Sequence, residues 1–254
     1  MQGRNRARRV LVTGASRGIG RAVARRFASE GARVAVHFHS AAAAARETLE
    51  GLEGSGHAVL PADLGQAGEG RRLLEEAVAF LGGLDVLVNN AGIYRPHPPA
   101  SVEAETWDEV WQQTLRVNLF SPAELCHAAI EPLQAAGGGH IVNVTSRGAF
   151  RGEPDAPAYG ASKAGLGSLS QSLAKALAPQ GIYVLAVAPG WVETEMAAPY
   201  LEGPGGDEIR GQIPLGRLAT PEEIARAVCF LASPGSESMT GCILDVNGAS
   251  YLRS

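Results

Sequence analysis

Val10-Leu-Val-Thr-Gly14-Ala-Ser16-Arg17-Gly18-Ile19-Gly20, followed by the amphipathic Arg21-Ala-Val-Ala-Arg-Arg-Phe-Ala-Ser-Glu-Gly31, puts an apolar run, a turn with three glycines and a helix-period segment in direct succession. Glycines between a strand and a helix let the backbone approach an anionic group closely, and the helix N-terminus supplies unpaired N–H donors and a positive dipole end. A glycine triad alone is weak. Here it sits at the start of a βαβ pattern, which is the context the motif requires. Gly14, Ser16, Arg17, Gly18, Ile19 and Gly20 are therefore the first candidate cofactor-binding residues.

Outward from this turn, short apolar runs alternate with longer helix-period segments. The runs predict strands at Val10–Thr13, Arg33–Phe38, His57–Leu60, Val86–Val88, His140–Val144, Tyr183–Val187 and Cys242–Val246. Several lack polar alternation, as expected of strands covered on both faces. Helices are expected around 19–30, 41–53, 66–81, 107–135, 159–178 and 221–232. Ser40, the Thr106/Glu109 pair and Thr220-Pro221-Glu222-Glu223 read as helix starts. The alternation argues for a single-domain Rossmann-type α/β fold over 1–254, a doubly wound parallel sheet of about seven strands with helices on both faces. Residues 1–8 read as a flexible basic tail. The Pro/Gly-rich stretch within 193–215 is the longest irregular segment and reads as a substrate-binding loop.

With 254 residues, 45% hydrophobic and 19% charged residues and a net charge of −4, the chain reads as a soluble protein. Nothing favours nucleic acid or a membrane as a partner. Cys126, Cys229 and Cys242 lie far apart in apolar contexts and read as reduced core residues of a cytoplasmic protein. The six histidines are scattered, and no metal site is expected.

Only two lysines stand against twenty arginines, and one of them, Lys163, lies four residues after Tyr159. On a helix those positions share a face. A nearby ammonium can lower a phenol's pKa from about 10 by roughly 1–3 units, which suits acid–base chemistry near neutral pH. Alone, the pair reads as well as a surface pairing. Ser146 lies thirteen residues upstream, just after a predicted strand.

Together, the glycine turn, Asn89-Asn90-Ala91-Gly92, Asn118, Ser146, Tyr159-x-x-x-Lys163 and Pro189-Gly190-x-x-x-Thr194 resemble the short-chain dehydrogenase/reductase family, in its order and spacing over essentially the whole chain. Its 3-oxoacyl-acyl-carrier-protein reductases and NADPH-dependent carbonyl reductases are the most similar by motif. The resemblance implies interconversion of a ketone and a secondary alcohol by hydride transfer. It assigns proton transfer to Tyr159, with Lys163 lowering its pKa and holding ribose hydroxyls. Ser146 would bond the substrate oxygen, and Asn118 would anchor a water that relays protons to Lys163. Asp63 and Leu64 would meet the adenine, Asn90, Ala91 and Gly92 the adenosine ribose, and Pro189, Gly190, Val192 and Thr194 the nicotinamide side. A homotetramer is implied, with 107–135, 159–178 and the C-terminal strand region at its contacts.

Phe38-His39-Ser40 ends the second strand without the carboxylate that NAD-dependent relatives carry there, while Arg17 supplies a cation for a 2′-phosphate. NADP(H) is thus expected over NAD(H). Tyr94, Arg147, Phe150, Trp191, Met196 and Tyr200 are the expected substrate pocket, although Arg147, Arg151 and Glu153 read equally as solvent-facing. The neutral stretches Ala135–Gly138 and Pro179-Gln180 count against an acidic carrier protein, so a free carbonyl or alcohol is favoured over a carrier-bound 3-oxoacyl group. A non-catalytic dinucleotide sensor is the remote alternative, disfavoured because both Tyr159 and Lys163 are present.

Overall fold

The computed structural model describes residues 6–203 and 205–253. Its elements are β1 (Arg9–Val12), α1 (Gly18–Ser29), β2 (Arg33–Phe38), α2 (Ala42–Glu50), β3 (Ala58–Pro61), α3 (Glu69–Leu81), β4 (Val86–Asn89) and α4 (Ala104–Leu115). A π-helical turn (Arg116–Phe120) leads into α5 (Ser121–Ala135), β5 (Gly139–Val144), α6 (Gly148–Arg151), α7 (Pro157–Leu177), β6 (Ile182–Pro189), α8 (Ala198–Leu201), α9 (Gly206–Gly211), α10 (Pro221–Leu231) and β7 (Ile243–Val246). The seven strands pair in the order β3-β2-β1-β4-β5-β6-β7, parallel throughout.

The apolar runs make buried strands because both faces are covered. Val10 and Val12 of β1 face a layer built with Val23 and Phe27 of α1 and Val228 of α10. Leu11 faces the opposite layer, with Leu73 and Leu74 of α3 and Leu125 of α5. The order reverses between β1 and β4, so the connections leaving these strands diverge to opposite sides and open a crevice at their carboxyl ends.

Strand boundaries fall within two residues of those read from sequence. The helix starts are less faithful. Thr220 forms the expected capping box: Glu223 N donates to Thr220 Oγ1 (3.3 Å) and Thr220 N to Glu223 Oε2 (2.9 Å). At α2, however, Ala41 rather than Ser40 holds the cap position, and no side chain caps it. α4 begins after Glu103, which places Thr106 inside the first turn and prevents the expected Thr106/Glu109 box. The helix expected over 107–135 carries the π turn within it, with right-handed helical backbone on either side.

The N-terminal tail expected over 1–8 lies partly outside the described residues, which start at Arg6. From there it is tied down: Arg6 pairs with Asp85 (2.8 Å) and Arg8 with Glu30 (2.6 Å). The segment 193–215 is not featureless, for it carries α8 and α9. Cys126 and Cys229 are buried and Cys242 half-buried, all as free thiols. Among the described residues no helix is long and apolar enough to cross a membrane.

Candidate active site

At the β1/β4 crevice the turns after the strands are stitched together. Thr13 Oγ1 accepts hydrogen bonds from the backbone N–H groups of Asn90 (2.9 Å) and Ala91 (3.0 Å). Asn90 Nδ2 returns one to Thr13 O (2.8 Å). Gly14 turns with φ +63°, and a Cβ there would come within 2.9 Å of Ala91 Cα. Gly20 packs α1 against this turn: a Cβ on it would meet Gly14 O at 2.3 Å. Its role is close approach of helix and strand, and it does not line the cleft. α1 has no side-chain cap at Arg17 and no acidic residue in its first turn. Its N–H donors and dipole thus remain available to an anion, and a glycine-walled cradle ending on an uncapped helix fits a pyrophosphate.

His37 holds this turn from β2. The Gly14 N–H donates to His37 Nδ1 (3.0 Å), so the ring proton sits on Nε2 and faces Ala62 O (3.1 Å). Burial pushes the imidazole pKa down to about 4, against the pull of the Ala62 hydrogen bond, and His37 is a neutral brace.

These turns line one cleft of about 390 Å³ that runs from the ends of β2 and β3 to the start of α7. Every cofactor-side residue expected from sequence borders it except Gly20: Gly14, Ser16, Arg17, Gly18, Ile19, Phe38, His39, Ser40, Asp63, Leu64, Asn90, Ala91, Gly92, Pro189, Gly190, Val192 and Thr194. Ser146, Tyr159 and Lys163 border it at the other end, with Tyr94, Arg147, Trp191, Met196 and Tyr200. Arg17 carries an ion pair across the mouth to Glu195 (2.8 Å), with both side chains more than half exposed. Such a pair is worth about 0–1 kcal/mol.

At the far end, Lys163 is buried and donates from Nζ to Val144 O (2.9 Å), with Nζ 5.8 Å from the centre of the Tyr159 ring. Burial lowers its pKa to about 8. Burial also pushes the Tyr159 phenol up to about 12, hydrogen bonding with Ser146 pulling it down and the charge of Glu153 pushing it further up. The downward pull of the lysine expected from sequence is outweighed here by burial. The ammonium faces the carboxyl end of β5 and the ring, and burial dominates, so Tyr159 is held as an acid with its proton on.

Asn118 departs from expectation too. It sits on the π turn, fully buried, behind the cleft wall rather than in it. Its Oδ1 accepts from Ile93 N (2.8 Å), and its Nδ2 donates to Ile93 O (3.0 Å) and Ser162 Oγ (3.1 Å). Ser162 Oγ in turn donates to Tyr159 O (2.8 Å). The amide is a clamp joining the Gly92–Tyr94 segment to the helix that bears Tyr159.

The substrate end is aromatic. Tyr94 meets Tyr159 edge-on (centroids 5.0 Å) and Tyr200 edge-on (5.4 Å), and Trp191 lies 6.1 Å from Tyr200. Phe150, expected here, is turned away: it stacks on the Arg253 guanidinium (4.4 Å), and its carbonyl accepts from Tyr251 Oη (3.3 Å). The C-terminal segment covers it. Arg147, only 4% exposed, and Arg151 both donate to Gln212 Oε1 (3.3 and 3.1 Å), tying α6 to the end of α9.

Sequence reasoning missed His97. It is fully buried against Trp107 (centroids 5.4 Å). Its Nε2 accepts from Ala158 N (3.2 Å), while Nδ1 bonds Arg95 O (2.8 Å). No side chain of the local sequence caps α7, so a histidine from the loop after β4 caps it one residue before Tyr159. We expect His97→Phe to lower kcat about tenfold or more while cofactor affinity changes less than threefold, and His97→Gln, which restores an acceptor, to recover most of the loss. Steady-state kinetics with a cofactor titration on both variants checks this.

Fold and cleft define a Rossmann-type α/β protein whose crevice joins a glycine cradle to a Tyr/Lys/Ser group, with Lys163 and Ser146 buried and Tyr159 half-buried. A family model described as enoyl-(acyl carrier protein) reductase matches residues 14–249, and the chain belongs to the short-chain dehydrogenase/reductase family of oxidoreductases. It is 35% identical over 240 residues to a 3-oxoacyl-[acyl-carrier-protein] reductase of Chlamydia trachomatis, covering 94% of this chain and 95% of that one. A D-threitol dehydrogenase of Mycolicibacterium smegmatis is 36% identical over 244 residues, covering 96% and 92%. Among solved structures, a short-chain dehydrogenase from Burkholderia cenocepacia in complex with NADP superposes with a TM-score of 0.86 at 33% identity, covering 98% of this chain and 99% of that one.

Proposed function

We propose that the chain is an NADP(H)-dependent oxidoreductase that interconverts a ketone and a secondary alcohol, with Ser146, Tyr159 and Lys163 as its catalytic residues and Asn118 positioning them. The observation that carries this reading is the meeting of the glycine cradle and these three side chains along one cleft. The bound reduced dinucleotide supplies the hydride. Tyr159, held protonated by its surroundings, gives its proton to the carbonyl oxygen. Ser146 donates a hydrogen bond to that oxygen as charge grows on it. Lys163 holds a positive charge beside the phenol, and the aromatic walls orient the substrate and exclude water. In the reverse direction the alcohol proton passes to Tyr159 in its phenolate form.

Arg17, His39 and Ser40 border the cleft together beyond β2, with no carboxylate from that strand. They support NADP(H) over NAD(H), as does the Burkholderia relative solved with NADP. Arg17 would exchange Glu195 for the 2′-phosphate. We expect Arg17→Ala to weaken NADPH binding about 10- to 150-fold and NADH binding much less, read by fluorescence titration. Wild-type protein binding both equally would defeat the assignment.

A second reading, 3-oxoacyl-acyl-carrier-protein reductase, is favoured by the Chlamydia relative. The neutral surface where Gln134 bonds Gln180 argues against docking of an acidic carrier. The deciding experiment compares kcat/KM for a 3-oxoacyl group on the carrier and on a short thiol, at low and high salt. Steering by basic patches is worth roughly 10- to 1,000-fold at low salt. A carrier preference above about tenfold that collapses with salt selects the second reading, and equal rates select a free small-molecule substrate. We further propose a cytoplasmic homotetramer.

A further inference from the structure

We propose that Glu153 selects the substrate: its carboxylate receives a hydroxyl group neighbouring the reacting carbonyl, so that the site takes hydroxyketones and polyols in preference to plain ketones or 3-oxoacyl thioesters. The proposal rests on the oxidoreductase reading above and names its substrate class.

Glu153 lies between α6 and α7 and borders the same cleft as Ser146, Tyr159 and Tyr94. Its side chain is only 15% exposed. It is wedged against Gly148, where a Cβ would sit 2.4 Å from Oε1, and it lies in ordinary contact with Gly160, where a Cβ would sit 3.7 Å from the Glu153 Cβ. Gly148 N donates to Ser146 Oγ (3.1 Å), and Gly160 follows Tyr159 directly. The carboxylate is thereby placed next to both groups that hold the reacting oxygen, and its charge reaches the phenols of Tyr94 and Tyr159.

What distinguishes this carboxylate is its want of donors. Its one ion-pair partner among the described residues is Arg151, with Nε 3.7 Å from Oε1, beyond hydrogen-bond reach. Both arginines nearby spend N–H groups on Gln212. Burial raises the Glu153 pKa while the Arg151 and Arg147 charges pull it back down; in its ionised form the carboxylate offers about four acceptor sites and no donor, and leaving them unmet in a shielded site is unfavourable. A ligand hydroxyl meets that need. An ammonium group would meet it too, but the Arg147 and Arg151 guanidiniums stand beside the site and oppose a second cation. The second carbonyl of a 3-oxoacyl thioester brings only lone pairs. Against aromatic walls formed by Tyr94, Tyr200 and Trp191, Glu153 is thus the group that distinguishes a hydroxylated chain from a bare one.

The test compares 3-hydroxybutan-2-one with butan-2-one, which differ by one hydroxyl, as substrates of the wild type, Glu153→Leu and Glu153→Gln. We expect the wild type to favour the hydroxyketone in kcat/KM by about 10- to 100-fold. The ratio should fall close to one in Glu153→Leu and lie between in Glu153→Gln, which keeps an acceptor. A wild type without preference, or a ratio unchanged in Glu153→Leu, overturns the proposal. Calorimetric binding of threitol to the NADP+-loaded proteins needs no turnover and separates this idea from the reaction assigned above. Binding at least tenfold weaker in Glu153→Leu, with neither ketone reduced, keeps the hydroxyl subsite and discards the reaction. Equal binding, or none to the wild type, discards the subsite. Matching thermal melts establish that the variants fold.

Discussion

Replacing Tyr159 by phenylalanine is expected to lower kcat by about 10²–10⁴-fold, the usual worth of a positioned proton donor, with NADPH affinity held within about threefold. The substitution keeps the ring, and with it the edge contact to Tyr94 at 5.0 Å and the backbone bond from Tyr159 N to Ala156 O. Only the transferable proton goes. Burial holds the wild-type phenol at a pKa of about 12, so it carries its proton at neutral pH. Stopped-flow measurement of NADPH oxidation, with a fluorescence titration for binding, provides the check. Activity within tenfold of wild type would show that the proton comes from elsewhere.

Lys163→Met is expected to cost activity at least 100-fold and, unusually for a buried change, to relieve the fold of a burden. Moving a fully buried amine from its ordinary 10.5 to about 8 corresponds to about 3 kcal/mol against the charged form. The sign follows from proton counting. Between pH 8 and 10.5 the unfolded chain binds this proton and the native chain does not, so the wild type gains stability as pH rises through that window. Below pH 8 the penalty is present in full. Methionine removes it at every pH, though it leaves the Val144 carbonyl without the Lys163 donor, a loss of about 1–3 kcal/mol. The stability of the variant relative to wild type should therefore decline by about 3 kcal/mol between pH 8 and 10.5, measured by denaturant unfolding. A flat difference would mean that the amine is not desolvated. For the same reason, carbonyl reduction by the wild type should fall as pH rises through about 8, where the ammonium discharges while Tyr159 still holds its proton.

What the sequence made legible is what depends on short-range pattern. β1 and the glycine turn announce themselves because an apolar run, a tight turn and an amphipathic helix must follow one another within a few residues. The spacing of Tyr159 and Lys163 likewise survives folding, since a helix sets it. Features that depend on distant partners were not legible. His97 caps α7 from 61 residues away, and nothing around it distinguishes it from the other histidines. Phe150 follows the apolar logic of a pocket wall, yet Arg253 and Tyr251 draw it out from the far end of the chain. Glu153 read as ambiguous because its burial depends on Gly148 leaving room for it. Ser40 and Thr106 are good capping residues placed one and three positions from the actual caps, a reminder that cap propensity is weaker than packing.

The π turn at Arg116–Phe120 acts as a phase corrector. On a straight α-helix, at about 100° per residue, Leu133 would point roughly 140° away from Val110. Both are nonetheless buried, along with Thr114, Leu125, Cys126 and Ala129. One surplus residue taken up in the wider turn removes about 100° of that drift and keeps two inward stripes in register along a single rod. It also turns Asn118 toward Ile93. The surplus residue is thus a frame mark: deleting any one position between 116 and 120 would swing the whole of α5 by nearly a third of a revolution, whatever the deleted side chain. Along this rod the number of residues is constrained more tightly than their identity.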